Sequence, residues 1–508
     1  MTTAHDLTRR SAAEIGAAIA AGTVTAEALV AAYLDRIEAL DRSGPTLQSV
    51  LAVNPLAVDQ ARALDAEVAA TGPRGPLHGV PVLIKDNIET ADPIPTTAGS
   101  LALAANVTER EGPAVAGLRA AGVVVMGKTN LSEWANFRCS TSVSGWSGVG
   151  GQVRNPHILD RTPCGSSSGS GAATAAYLAA ASVGTETNGS IICPAAMNGI
   201  VGFKPTVGPV SQEGIVPIAP SQDTAGPMTR TVADAALLAA AMATPGSGLD
   251  ALPPLPPDAL AGRRLAVLRF AVDDHRGVAT VLAAAEADLR AAGATLVDID
   301  DFDRGDDFRE AARMVLKTEF KVALNAYLAA TPPSVSTRTL AQVIAFNATE
   351  ARDRELVLFD QDVLELAEAT AGLDDPEYLE ARQHVQRVTG ADGIGRLLAE
   401  HQADLLIAPS AAPPGPVDAI NGDCSRNVGA GWLAAIAGYP HLTVPMGTVH
   451  AAPVGLSFIG PAGGDAAVLA AGHDYEVRTN HRPEPGFLPT AAAGPTLAAA
   501  LAPALAPA

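Results

Sequence analysis

The run His78-Gly79-Val80-Pro81-Val82-Leu83-Ile84 constrains this chain more than any other stretch. It is short, apolar and β-branched, and it stops at Lys85-Asp86-Asn87. Such a run reads as a buried strand. A helical stretch follows near 113–121, and a second buried strand at Val123–Met126. Strand, helix and strand in that order predict an α/β sheet. Upstream, residues 11–40 read as two helices split by Gly22. The first opens on the capping pair Ser11 and Glu14, and the second on Thr25 with Leu29, Tyr33, Ile37 and Leu40 at helical spacing. Downstream, Ala172–Ala181 reads as helix and Ser182–Gly189 as a return turn. Pro253–Pro257 is a breaker before a strand at Arg264–Phe270. Helical, charged sequence dominates about 277–402, and further strands are expected at Leu405–Ala408 and Leu442–Met446. No internal repeat is visible. The Ala/Pro-rich stretch 491–508 is expected to be disordered.

Composition excludes several classes. The formal net charge is -20 and no stretch gathers lysines and arginines, which argues against nucleic acid as a partner. The four cysteines, Cys139, Cys164, Cys193 and Cys424, do not make a disulfide framework in 508 residues. No CxxC or HExxH occurs, so neither a metal nor a cofactor is expected. No run of about 20 apolar residues spans a membrane. The N-terminal stretch lacks an apolar export signal. The expectation is a cytoplasmic protein, or one from which an export signal has been removed.

The chemistry concentrates in 163–208, PCGSSSGSGAATAAYLAAASVGTETNGSIICPAAMNGIVGFKPTVG. Two serine clusters flank a helix, and glycines surround both. Glycine lets backbone amides converge on one oxygen, the arrangement that stabilises an oxyanion. A flexible Gly/Ser linker has the same composition, but a linker does not lead directly into a helix and a second Gly/Ser turn. Gly165-Ser166-Ser167-Ser168-Gly169 also fits a nucleophile elbow centred on Ser167. That needs a preceding strand, and Arg161-Thr162-Pro163-Cys164 makes a poor one.

In order and wording these motifs resemble the amidase-signature family. The resemblance runs through GVPVLIKDNI (79–88), VVVMGKTNLSEWANF (123–137), the 163–208 block, SQDTAGPMTRTVADAA (221–236), ADLLIAPS (403–410) and AGYPHLTVPMG (437–447). NLSEWANFR, SGWSGVGGQVRNP, GTETNGSIICPA and the later SFIG and FLPT look like its bacterial peptide-amidase branch, which removes the C-terminal amide of peptides. The resemblance implies a large mixed β-sheet with helices on both faces, in one catalytic domain over 1–490. The core motifs lie in 79–236 and 403–460, and a variable helical wall in about 277–402. It implies Lys85 as base, Ser166 as bridging serine after a cis bond from Gly165, and Ser190 as nucleophile. The N–H groups of Thr187, Asn188, Gly189 and Ser190 would form the oxyanion hole. A non-proline cis bond costs about 3 kcal/mol. Three positions depart from the family pattern. Glu186-Thr187-Asn188-Gly189-Ser190 replaces Asp-x-Gly-Gly-Ser, Ser168 replaces a glycine, and Ile192 replaces an arginine, which disfavours a carboxylate-bearing substrate.

A serine must lose its proton as it attacks, and lysine accepts it only when neutral. From an ordinary pKa of about 10.4, a neutral lysine at pH 7 costs about 4–5 kcal/mol, which burial reduces. Lys85 follows an apolar run, which suits burial. The resemblance places the motifs of Asn136, Gln222 and Asp223 near the pocket; Asn136 and Gln222 suit a substrate amide, Asp223 fits a structural role equally, and Tyr327 is a candidate contact from the variable region. Trp134, Phe137, Trp146 and Trp432 are candidates for an apolar pocket, although core packing is the commoner role of aromatics. Two other functions use the same machinery. One is hydrolysis of aryl amides, carbamates (urethanes) or esters; the other is passage of ammonia within a complex, as an amidotransferase component. An intact Lys85, Ser166 and Ser190 disfavours a silent binding protein.

Overall fold

The chain is described from a computed structural model covering residues 3–272, 274–424 and 426–501. Its strands are β1 (Val50–Val53), β2 (Pro81–Lys85), β3 (Val124–Thr129), β4 (Trp146–Ser147), β5 (Gly151–Gln152), β6 (Ala181–Glu186) and β7 (Val201–Lys204). They continue as β8 (Thr224–Thr229), β9 (Arg264–Leu268), β10 (Thr295–Ile299), β11 (Leu405–Pro409), β12 (His441–Val449) and β13 (Ala452–Ile459). Apart from the β4–β5 hairpin, these build one mixed sheet of eleven strands in the order β1-β3-β2-β6-β8-β7-β12-β13-β11-β9-β10. β2 runs parallel to both β3 and β6, whereas β8 is antiparallel to its neighbours β6 and β7.

Alternation along the strands divides the core between two faces. Leu265 and Val267 of β9 and Leu405 and Ile407 of β11 join one core with the helix Arg276–Ala291. Ala266, Leu268, Leu406 and Ala408 join another with Leu397 and Leu433. Helices therefore cover both faces, as expected. The N-terminal helices form at Ala12–Ala20 and Ala26–Arg36, capped by Ser11 with Glu14 and by Thr25.

The structure corrects two expectations. Ser182–Gly189 is not simply a turn, because Ala181–Glu186 is a wholly buried central strand. The helix before it is Ser168–Ala175, which ends earlier than Ala172–Ala181 implies. Helix dominates 277–402, as expected, with the single strand β10 pairing with β9 inside it. The helix Phe308–Ala329 brings Ala323 and Tyr327 to the lining of a cavity of about 210 Å³. Its Phe320, Leu324 and Leu328 form a separate apolar cluster with Trp134, Val216 and Ile218. Of the terminal stretch, Ala491–Ala493 and Pro495–Leu501 are helical and without buried residues, and 502–508 lie outside the described residues. Among the described residues no helix is long and apolar enough to cross a membrane.

Candidate active site

The parallel pairing of β2 with β6 sets Ile84 opposite Val183, so Lys85 and Thr185 emerge together at the carboxyl ends of adjacent strands. In α/β sheets this is the edge where ligand sites form. Lys85 is fully buried. Its Nζ lies 2.8 Å from Ser166 Oγ and 2.8 Å from Thr185 Oγ1, and Asn87 Nδ2 donates to the same threonine hydroxyl at 3.0 Å. Burial pushes the Lys85 ammonium well below the ordinary lysine value, opposed by the charges of Asp223 and Glu186. The hydrogen bonds hold the amine toward the serine, and the dry surroundings favour its neutral form. No motif or spacing in the sequence marks Thr185 or Asn87 for this role.

Ser166 and Ser190 meet across two turns. The Ser166 N–H donates to Ser190 Oγ at 3.1 Å, and the Ser167 N–H donates to the Ser190 carbonyl at 3.3 Å. Ser166 is buried and Ser190 half-buried. The cis bond expected between Gly165 and Ser166 is not there, since no peptide bond among the described residues is cis. The reversal is made instead by two successive left-handed residues, Cys164 at φ 59° and Gly165 at φ 56°. A side chain at 165 would also sit 2.6 Å from Pro194 Cδ and 3.3 Å from Ser190 Cα, so only glycine fits. Ser167 is not an elbow nucleophile. Its buried hydroxyl donates to the Thr185 carbonyl and accepts from the Thr185 N–H. Although four cysteines make no framework, two of them are bonded. Cys164 and Cys193 form a disulfide that ties the turn before Ser166 to the helix after Ser190.

Four consecutive backbone donors follow without a partner among the described residues. The N–H groups of Thr187, Asn188, Gly189 and Ser190 donate to no group among the described residues, whereas those of Ile191 and Ile192 both bond Glu186 Oε2, at 2.7 and 3.0 Å. Glu186 thus fixes the turn at its far end. Asp223 fixes its near end, accepting from the Thr187 hydroxyl at 2.5 Å and from the N–H groups of Ile218 and Ala219. Burial raises the Asp223 carboxyl to about 7. Such a set of free amides can receive an oxyanion.

The remaining candidates separate. Asp223 and Tyr327 line one cavity of about 210 Å³ together with Asn87, Thr185 and Thr187. The Tyr327 hydroxyl accepts from Asn106 Nδ2 at 3.0 Å. Asn136 and Gln222 do not line it. Asn136 accepts from the Ser142 hydroxyl at 2.9 Å, and the Gln222 side-chain oxygen is buried without a partner. Trp134, Ala135 and Asn136 all hold positive φ, at 50°, 54° and 68°. Non-glycine residues keep such angles only where their surroundings impose them. Ser132, just before them, donates its N–H to the Ser166 carbonyl and its hydroxyl to the Gly165 carbonyl. The aromatics form no common pocket. Phe137 packs on Phe320, Trp146 on Phe359, and Trp432 on Phe302 and Phe308, while Trp134 sits in the Phe320 cluster.

Comparison with known proteins agrees with this architecture. The sequence matches the family described as Amidase over residues 28–469, and the chain belongs to that family. The solved structure of native peptide amidase from Stenotrophomonas maltophilia superposes with a TM-score of 0.89 at 44% identity, covering 95% of this chain and 99% of that one. A probable amidase of Arabidopsis thaliana is 36% identical over 92% of this chain and 89% of its own length. A glutamyl-tRNA(Gln) amidotransferase subunit from Halorhodospira halophila is 34% identical over 94% of this chain and 99% of its own.

Proposed function

We propose that this protein hydrolyses linear carboxamides, foremost the C-terminal amides of peptides, through an acyl-enzyme on Ser190. One observation carries the reading: a buried Lys85 amine 2.8 Å from Ser166 Oγ, with Ser190 Oγ held by the Ser166 N–H beside four free amides. In its neutral form Lys85 takes a proton from the Ser166 hydroxyl as Ser166 takes one from Ser190. Contacts of this kind tighten in the substrate complex. Ser190 attacks the carbonyl carbon, and the N–H groups of 187–190 hold the resulting oxyanion. The relay returns its proton to the departing ammonia or amine. Water then repeats the cycle on the acyl-serine and frees the acid.

The domain spanning 1–490 acts as one catalytic unit, with the helix Phe308–Ala329 walling the substrate side. Ile192 supports a peptide amide over a carboxylate-bearing substrate, because it sets an apolar side chain where the family pattern has an arginine. Asp223 and Tyr327 are proposed to shape the pocket, whereas Asn136 and Gln222, suited by residue type to an amide, lie outside its lining. The Cys164–Cys193 bond favours an oxidising compartment over the cytoplasm. A fluorophosphonate probe followed by mass spectrometry tests the nucleophile, and label on any residue other than Ser190 refutes it. A panel of peptide amide, anilide, carbamate and ester ranks the substrates.

The similarity to amidotransferase subunits over nearly full length favours a second reading, in which liberated ammonia passes to a partner. Glutaminase activity together with a stable hetero-oligomer would establish it.

A further inference from the structure

The opposite ends of β6 and β8 carry a second constellation, about 20 Å from the serines by the rise of six strand residues. Arg230 follows β8, and its Nη1 donates to the Ala179 carbonyl just before β6. Around the Tyr177 ring stand four guanidinium groups, those of Arg9, Arg36, Arg230 and Arg482, with centres 4.9, 5.7, 5.1 and 5.4 Å from the ring centroid. In a chain with 34 basic and 54 acidic residues, this is the reverse of the average balance.

The cations outnumber the carboxylates beside them. Among the described residues only Glu484 comes within ion-pair reach of any of the four, at 3.7 Å from Arg9 and 3.0 Å from Arg482. Arg36 bonds only the carbonyls of Ala176 and Tyr177, and burial together with the Arg9 charge lowers its pKa. Arg230 is 3% exposed, donates to the Ala179 and Arg10 carbonyls, and has an Nε without a partner. Beside this group opens a cavity of about 520 Å³ lined by Arg9, Arg10, Arg230, His481 and Arg482. Two acidic residues also line it. Glu14 pairs with Arg10 at 3.6 Å. Glu476 accepts from the Val232 N–H, and burial raises it to about 8.

We infer that this arginine-lined basin is a binding site for a small, multiply charged oxyanion, with a phosphate-type group as its natural fit. A guanidinium presents paired donors that match phosphate oxygens, and partial burial strengthens such contacts. The volume exceeds that of a bare phosphate and accommodates a phosphorylated small molecule. Neither the basin nor its ligand takes part in the amide chemistry.

Titration of the full-length protein with inorganic pyrophosphate, by calorimetry and by thermal shift at constant ionic strength, tests this. Saturable binding is expected, with Kd raised at least tenfold in Arg10→Gln and in Arg482→Gln. Arg276→Gln, an exposed arginine outside the basin, should bind as the parent does. Amide hydrolysis should be unchanged in all three. Arg230→Gln extends the series if it folds, and the other two variants decide the matter if it does not. Citrate in place of pyrophosphate separates a carboxylate ligand from a phosphate one, and tighter citrate binding overturns the phosphate assignment. No saturable binding of either anion, or equal binding by Arg10→Gln, Arg482→Gln and Arg276→Gln, overturns the site.

Discussion

Breaking the Cys164–Cys193 bond should destabilise the fold and slow the reaction together. The bond closes a loop across a sequence separation of 29. Loop-closure entropy assigns such a cross-link about 3.6 kcal/mol at 25 °C. Cys164 holds φ 59°, and freeing it to relax returns about 1 kcal/mol. The net loss expected for the double variant Cys164→Ser, Cys193→Ser is therefore about 2–4 kcal/mol. The anchors stand two residues before Ser166 and three after Ser190, so slack here moves the two hydroxyls relative to each other. Misplacement of reacting groups by about 1 Å costs up to about 100-fold in rate. The fall should appear in kcat, with KM little changed. Thiol titration of the unfolded chain should find two thiols before reduction, from Cys139 and Cys424, and four after it. Urea unfolding followed by tryptophan fluorescence gives the stability. Four titratable thiols without reductant would mean the bond is not formed. An unchanged unfolding midpoint with unchanged kcat would refute the reasoning even if the bond is present.

Other outcomes follow from the same geometry. Lys85→Met should lower kcat by about 10²–10⁴-fold while leaving the fold intact, because a positioned base contributes that much and an apolar replacement suits the dry site; circular dichroism and turnover of a peptide amide check it. Lys85 works uncharged and burial lowers its pKa, so kcat should rise with pH and level off well below the ordinary lysine value near 10.5; a rise centred at or above that value would mean the amine is solvated. Asp223→Ala removes the partner of the Thr187 hydroxyl. At about 1.5–3 kcal/mol for a hydrogen bond to a charged group, kcat/KM should drop about 10- to 100-fold. Asp223 also bears on stability. Its folded value near 7 lies above the ordinary 3.8, so the folded state binds the extra proton and stability falls as pH rises through that window. Stability curves of the parent and Asp223→Asn should converge toward pH 4, and parallel curves would remove Asp223 from the account.

What is legible in the sequence, and what is hidden, follows from where each signal lives. β2 and β3 are readable because PVLIK and VVMGKT carry dense β-branched, apolar character of strand length. β6 and β8 are not. ASVGTE and TAGPMT have the composition of turns, and they are strands only because neighbours on both sides bury every residue. The Lys85, Ser166 and Ser190 set is legible through motif wording, but its two supports are not. The disulfide joins cysteines whose spacing matches no framework, and the pairing exists because two turns are brought face to face. Thr185 is the sharper case. Its hydroxyl meets Lys85 only because β6 lies beside β2 in one register, and the two strands are about a hundred residues apart in the chain. A slip of one residue would turn Thr185 to the other face of the sheet and set Gly184 or Glu186 in its place, so the amine would lose that hydroxyl. The tuning of the lysine is thus a property of strand order. A glycine or bulge inserted into β6 should abolish it while every residue of the motif stays in place.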